Sequence, residues 1–241
     1  MDIDLNSDIG ESFGAYRLGD DDAILAYVNS ANIACGFHAG DPLVMDETVC
    51  LCAAAGVRVG AHPGHLDLQG FGRRDILLSP EEAEAFVLYQ VGALAGFARA
   101  RGVELTHVKP HGALYNQAAR DPALAAGIAR AVKRFSPGLV LVGLAGSALV
   151  TAGQEAGLAV MNEGFPDRGY NPDGTLMLRK LPGALLHDPD AIAANAVRLV
   201  TQGILTPAGR IPVETLCLHG DSPSAVEAAK AVRAALEEIR L

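Results

Sequence analysis

An α/β fold, a single-domain seven-stranded parallel (β/α) barrel spanning residues 1–241, is what this chain predicts. Three observations carry that expectation. Strand-like and helix-like stretches alternate from end to end, the order that makes a parallel sheet with helical crossovers. No break in composition marks a boundary between two domains, and α/β barrels often reach this length undivided. The strand-like runs end repeatedly in His, Lys, Asp or Glu, as strands around one polar centre would. A doubly wound open sheet is the competing architecture, because it shares the same alternation.

The first strand is predicted over 3–9. Its even positions are Asp4, Asn6 and Asp8, and its odd positions include Ile3, Leu5 and Ile9, so a period of two gives it one polar and one apolar face. Further strands are predicted over 31–37, 57–61, 106–109, 139–144, 158–161 and 215–218. Helix starts are marked by a cap residue followed by proline: Asp41-Pro42, Ser79-Pro80, Asp121-Pro122, Asp188-Pro189 and Ser222-Pro223. The cap side chain accepts from orphan amides, and proline fits the first helical position without losing a bond. Ser79 also has Glu82 three residues on, a capping box. Gly56, Gly102, Gly157 and Gly203 are the expected helix terminators. Two connections, 62–74 and 163–187, are too long for plain loops; in the second, Thr175-Leu176-Met177-Leu178 reads as a small added strand. Both leave C-terminal strand ends, the edge where parallel α/β folds bind ligands.

Composition narrows the function. Half the residues are hydrophobic, a fifth are charged, the formal net charge is −9 and there is no Trp, so neither a basic stripe nor stacking platforms for nucleic acid are present. The opening Met1-Asp2-Ile3-Asp4 has neither a basic nor an apolar signal region, and the run 139–150 is interrupted by Gly143, Gly146 and Ser147. These features predict a cytoplasmic protein without membrane spans. Cys35, Cys50, Cys52 and Cys217 show no zinc-type pairing and read as reduced thiols, mostly in the core.

Residues at or just past the predicted strand ends form the candidate rim: Asp4, Asn6, Asp8, His38, His62, Lys109, His111, Glu163, His219 and Asp221. His65, His107 and His187 read as structural, although His107 shares the inward parity of Lys109. Pro110 holds Lys109 extended and so aims its side chain. A lysine inside a barrel needs a partner, and the first-strand carboxylates supply one; it is either a structural ion pair or a clamp on a developing oxyanion. The His and Asp set supports a metal site, for which Asp8, His38, His62 and His219 are the set assigned, acid/base work, or simple orientation of a ligand. No HExxH, serine elbow or P-loop occurs, so any ATP use requires an unrecognised site or a separate partner protein.

The stretches 4–14, 30–42, 60–63, 70–74, 108–116 and 216–221, among them NIACGFHAGDP and VKPHGALYN, closely resemble the LamB/YcsF family, which contains the bacterial 5-oxoprolinase A subunits. The resemblance runs through essentially the whole chain. It departs after His62-Pro63, where Gly-His-Leu-Asp stands for an expected Ser-Tyr-Pro-Asp, and at Pro166 and Gly169, where alanines are usual. It implies a barrel akin to the glycoside hydrolase/deacetylase superfamily and ATP-dependent opening of 5-oxoproline to L-glutamate with B and C subunits. On that footing Asp4 or Asp8, with His111, is expected to activate water or shuttle protons, and Lys109 to stabilise developing charge. Arg73 or Arg168 is expected to hold the substrate carboxylate, with Asn6, Glu11, Asn116, Glu163 and Asp221 as further substrate contacts. The alternatives are a stand-alone metal-dependent deacetylase or carbohydrate hydrolase and a non-catalytic subunit that binds 5-oxoproline.

Overall fold

A computed structural model describes residues 3–219 and 224–239. In chain order the elements are β1 (Asp4–Ile9), α1 (Asp21–Leu25), β2 (Ser30–Ala34), α2 (Pro42–Ala55), β3 (Arg58–His62), α3 (Pro80–Ala100), β4 (Leu105–Val108), α4 (Gly112–Ala118), α5 (Pro122–Phe135), β5 (Val140–Leu144), α6 (Ala148–Glu155), β6 (Ala159–Gly164), α7 (Pro189–Gln202), β7 (Ile204–Thr206), β8 (Gly209–Ile211), β9 (Thr215–His219) and α8 (Ala225–Glu238). Seven of the strands close a parallel barrel in the order β1-β2-β3-β4-β5-β6-β9. The open-sheet alternative is therefore excluded.

The caps behave as their chemistry requires. Asp41 accepts from the amides of Leu43 and Val44, and Gly56 ends α2 at φ 68°, the left-handed conformation that glycine adopts without a Cβ clash. Ser79 and Glu82 form the reciprocal capping box of α3. Asp121 and Asp188 cap α5 and α7. Ser222-Pro223 and Asp221 lie outside the described residues; α8 begins at Ala225.

Odd residues of β1 face the helical layer, where Leu5 and Ile9 join Ile33, Val59, Val108, Leu141 and Leu216 in one apolar core. The even residues face inward. The register sets Asp8 beside Asn32 on β2 and His219 on β9. Gly60 pairs with His107 on the adjacent strand β4, and a Cβ on it would collide with that imidazole ring; the missing side chain is what lets a histidine fill the barrel at this level.

Two sequence expectations need correction. The strand expected over 31–37 ends at Ala34, because Gly36, at φ 91°, turns the chain out of the sheet. The added strand expected at Thr175–Leu178 is only an isolated bridge between Tyr170 and Leu176. The extra strands are β7 and β8, an antiparallel hairpin outside the barrel.

Candidate functional site

Lys109 follows the last residue of β4, and its backbone N–H donates to Ala61 of β3. Its side chain runs into the barrel, where only 2 % of the residue is exposed. The ammonium donates to Asp8 Oδ1 at 3.0 Å and to Asn6 Oδ1 at 3.2 Å. Glu163 Oε1 lies 2.9 Å away and Cys217 Sγ also 2.9 Å away. Burial opposes the charge, but Asp8 and Glu163, with the Cys217 sulfur as a further acceptor, outweigh it and hold the lysine pKa well above its ordinary value. The same balance acts on Asp8: burial would raise its pKa, and His62 and Lys109 hold it well below the usual carboxylate range. Both groups are therefore ionised at neutral pH. Burial, followed by the charge of Asp8, pushes the Cys217 thiol well up, so it stays protonated.

Polar side chains fix this pair in place. Asn6 donates to Glu163 at 3.1 Å and to Thr215 at 2.6 Å, and Asn32 donates to Asn6 at 2.7 Å and to Asp8 at 2.9 Å. Tyr115, from α4, donates its hydroxyl to Glu163 Oε2 at 2.7 Å. Both oxygens of Glu163 are thus engaged within the protein, and it holds Lys109. His107 Nε2 lies 2.8 Å from Asn32 Oδ1, which makes it part of the inward network.

A histidine group adjoins Asp8. His62 Nε2 is 3.3 Å from Asp8 Oδ2 and 3.0 Å from His111 Nδ1. His38 stacks on His111 with ring centroids 3.7 Å apart. Glu11 Oε1 lies 3.6 Å from His38 Nε2 and 3.6 Å from His111 Nδ1. Glu11, His38, His62 and His111 each offer one ligand atom, all within 4.8 Å of one another, as a metal site would require. Burial and neighbouring histidines push His38 and His111 well below the ordinary imidazole pKa, leaving them neutral.

Asp8, His62, Lys109 and His111 open onto a cleft of about 520 Å³ at the C-terminal strand ends. Both long connections line it. The first supplies Arg73, whose guanidinium lies 4.8 Å from the centre of the Phe71 ring. The second supplies Arg168, Arg179 and the strip Thr175 to Arg179. Asn116 also faces the cleft.

The structure separates some residues that the sequence grouped. Asp4 sits at the opposite, N-terminal end of β1, accepting from Ser30, Thr215 and Arg58, and does not share the cleft with Asp8. His219 lines the cleft beside Asp8 but is turned to Asp167, 2.6 Å away, and stacks on Phe165; Glu11 and His111 stand in the ligand group in place of Asp8 and His219. Arg168 donates to the carbonyls of Ala184 and Met177 at 3.2 and 2.6 Å, tying down the loop it belongs to. Asn32, Tyr115, Thr215 and Cys217 belong to the site and were not expected there. The even parity of Asn32 relative to Asn6 was the available signal for the first of these.

A profile of the LamB/YcsF family matches residues 3–241. The chain is a member of the LamB/YcsF family. One relative of this LamB/YcsF chain is the 5-oxoprolinase A subunit of Methylococcus capsulatus, 57 % identical over 96 % of this chain and 90 % of its own length. The protein of the same name from Pyrococcus furiosus is 50 % identical over 99 % of this chain and 95 % of its own length. Among solved structures, the lactam utilization protein of Thermus thermophilus superposes with a TM-score of 0.92 at 50 % identity, covering 99 % of this chain and 97 % of that one. The LamB/YcsF chain has, among its described residues, no helix long and apolar enough to cross a membrane.

Proposed function

We propose that this chain is the A subunit of an ATP-dependent 5-oxoprolinase and opens the 5-oxoproline lactam to L-glutamate together with B and C subunits. The observation that carries the reading is Lys109: a buried ammonium held by Asp8 and Glu163 at the mouth of a cleft lined by arginines. The names of the relatives at 50–57 % identity support it. The sequence carries no P-loop, so ATP use in this reading calls for an unrecognised site or another subunit.

A lactam amide is a poor electrophile, and phosphorylation of its oxygen by ATP corrects that. Water then adds to the ring carbon, and the carbon–nitrogen bond breaks as nitrogen takes up a proton. The resulting γ-glutamyl phosphate is hydrolysed by a second water, releasing glutamate and phosphate. Asp8, held ionised, accepts the proton of the attacking water, while His111, tied to Phe71 through Nε2, borders the same space. Lys109 has three protons and four acceptors around it. The thiol of Cys217 is the weakest of these, so it is the contact that an oxyanion replaces. Arg73 meets the substrate carboxylate as a two-pronged donor.

The test is glutamate formation from 5-oxoproline and ATP, assayed with this chain, the B and C proteins, and all three combined. Turnover that requires all three supports the reading. Equal turnover by B and C without this chain overturns it.

A further inference from the structure

Hydrogen-bond direction fixes the tautomers of two buried histidines. His62 Nδ1 lies 2.7 Å from the Lys109 carbonyl oxygen, which can only accept, so Nδ1 carries a proton and, in the neutral ring, Nε2 is left with the lone pair. His111 Nε2 lies 2.9 Å from the Phe71 carbonyl oxygen, which leaves the lone pair on Nδ1. These two lone pairs face each other across 3.0 Å. Around them stand Asp8 Oδ2, 3.3 Å from His62 Nε2, and Glu11 Oε1, 3.6 Å from His111 Nδ1. Acceptors converge on this point from several sides.

His38 supplies an independent observation. It is 1 % exposed, and among the described residues neither ring nitrogen has a hydrogen-bond partner. A buried imidazole without any bond is costly to keep, unless its partner comes from outside the chain. The backbone makes room for the ring: a Cβ on Gly64 would lie 2.6 Å from His38 Nδ1, and one on Gly72 would lie 2.7 Å from its Cβ.

We propose that Glu11, His38, His62 and His111 bind a divalent transition-metal ion of the zinc class, reached from the cleft through His62 and His111. Ligand nitrogens and oxygens about 2.0–2.1 Å from a tetrahedral ion lie about 3.3 Å from each other. Three of the separations, 3.0 Å between His62 and His111 and 3.6 Å from Glu11 to His38 and to His111, straddle that value, and all the ligand atoms lie within 4.8 Å of one another. Imidazole donors favour zinc, iron or cobalt over magnesium or calcium. The bonds from His62 to the Lys109 carbonyl and from His111 to the Phe71 carbonyl are the outer contacts that orient metal-bound histidines. The stacked rings of His38 and His111 lie 2° from parallel, so their in-plane lone pairs meet at one ion only once the rings splay apart.

The site does not depend on the activity proposed above. Full-length chain, stripped with a chelator, is titrated with Zn²⁺ and, for its spectrum, with Co²⁺, and is analysed for metal after desalting. The site predicts one ion per chain, visible Co²⁺ absorption of nitrogen-ligated character, and a rise in melting temperature on adding Zn²⁺. Glu11→Gln and His38→Ala are expected to bind Zn²⁺ at least about tenfold more weakly, and circular dichroism checks that each metal-free variant is folded. Substoichiometric metal, a Co²⁺ spectrum of the aquo type, or unchanged affinity in both variants overturns the site. A variant that fails to fold leaves the wild-type stoichiometry and Co²⁺ spectrum to decide. A chain that binds Zn²⁺ but forms no glutamate with its partners keeps the site and overturns the activity.

Discussion

Replacing Lys109 by Met tests the centre of the barrel, because methionine keeps most of the stem and removes only the charge and its donors. Asp8 Oδ1 then keeps Asn32 at 2.9 Å, and Glu163 keeps Asn6 at 3.1 Å and Tyr115 at 2.7 Å. Every neutral contact survives, yet two carboxylates remain in the interior without the cation between them. Breaking a buried pair by deleting one partner costs about 3–5 kcal/mol. For a protein of this size that amounts to a melting temperature roughly 6–20 °C lower. Thermal unfolding by circular dichroism at neutral pH measures it, and Lys109→Met/Asp8→Asn completes a double-mutant cycle. The double variant should recover part of the loss, since one uncompensated charge goes with the lysine. A Lys109→Met protein melting within about 1 °C of wild type, or a double variant destabilised by the sum of the singles, would refute the pairing.

Three other perturbations address separate parts of the molecule. Arg73→Met should raise KM for 5-oxoproline about tenfold or more while changing kcat much less, as loss of a charge-assisted contact made before the reaction would; steady-state kinetics of the assembled enzyme reads both. Gly60→Ala forces a methyl group into His107 and should cost about 1–3 kcal/mol in denaturant unfolding. Asp67 is held down, to a pKa of about 2, chiefly by its hydrogen bonds from Arg74. A depressed carboxylate pKa gives stability that is complete above the unfolded value and fades as pH falls towards the folded one. Melting temperatures between about pH 4 and pH 2 should therefore fall less steeply in Asp67→Asn than in wild type; parallel curves would contradict this.

The helix starts and most strand positions were legible because they depend on neighbours: a cap residue before proline, or the alternation in β1. Depth along the barrel was not. Asp4 and Asp8 share one face of β1, but four residues at about 3.3 Å each put them about 13 Å apart, so one pairs with Arg58 at the N-terminal end and the other with Lys109 at the mouth. Pairings across long stretches of chain were equally hidden. Glu163 and Tyr115 could be matched, and Cys217 placed against Lys109, only once closure of the barrel brought β6, α4 and β9 around the same ammonium. Arg168 promised a fork for a carboxylate, but its partners are carbonyls that no side-chain pattern reveals. The β7–β8 hairpin has three-residue strands joined through Pro207-Ala208, too short to show a period.

A crystal structure of the chain soaked with 5-oxoproline tests the central claim most directly. The account places the lactam ring in the cleft, its carbonyl oxygen turned to the Lys109 ammonium, its ring carbon open to water beside Asp8 and its carboxylate towards Arg73. A ring seated away from Lys109, or a cleft that stays empty while the ligand occupies another surface, would contradict it.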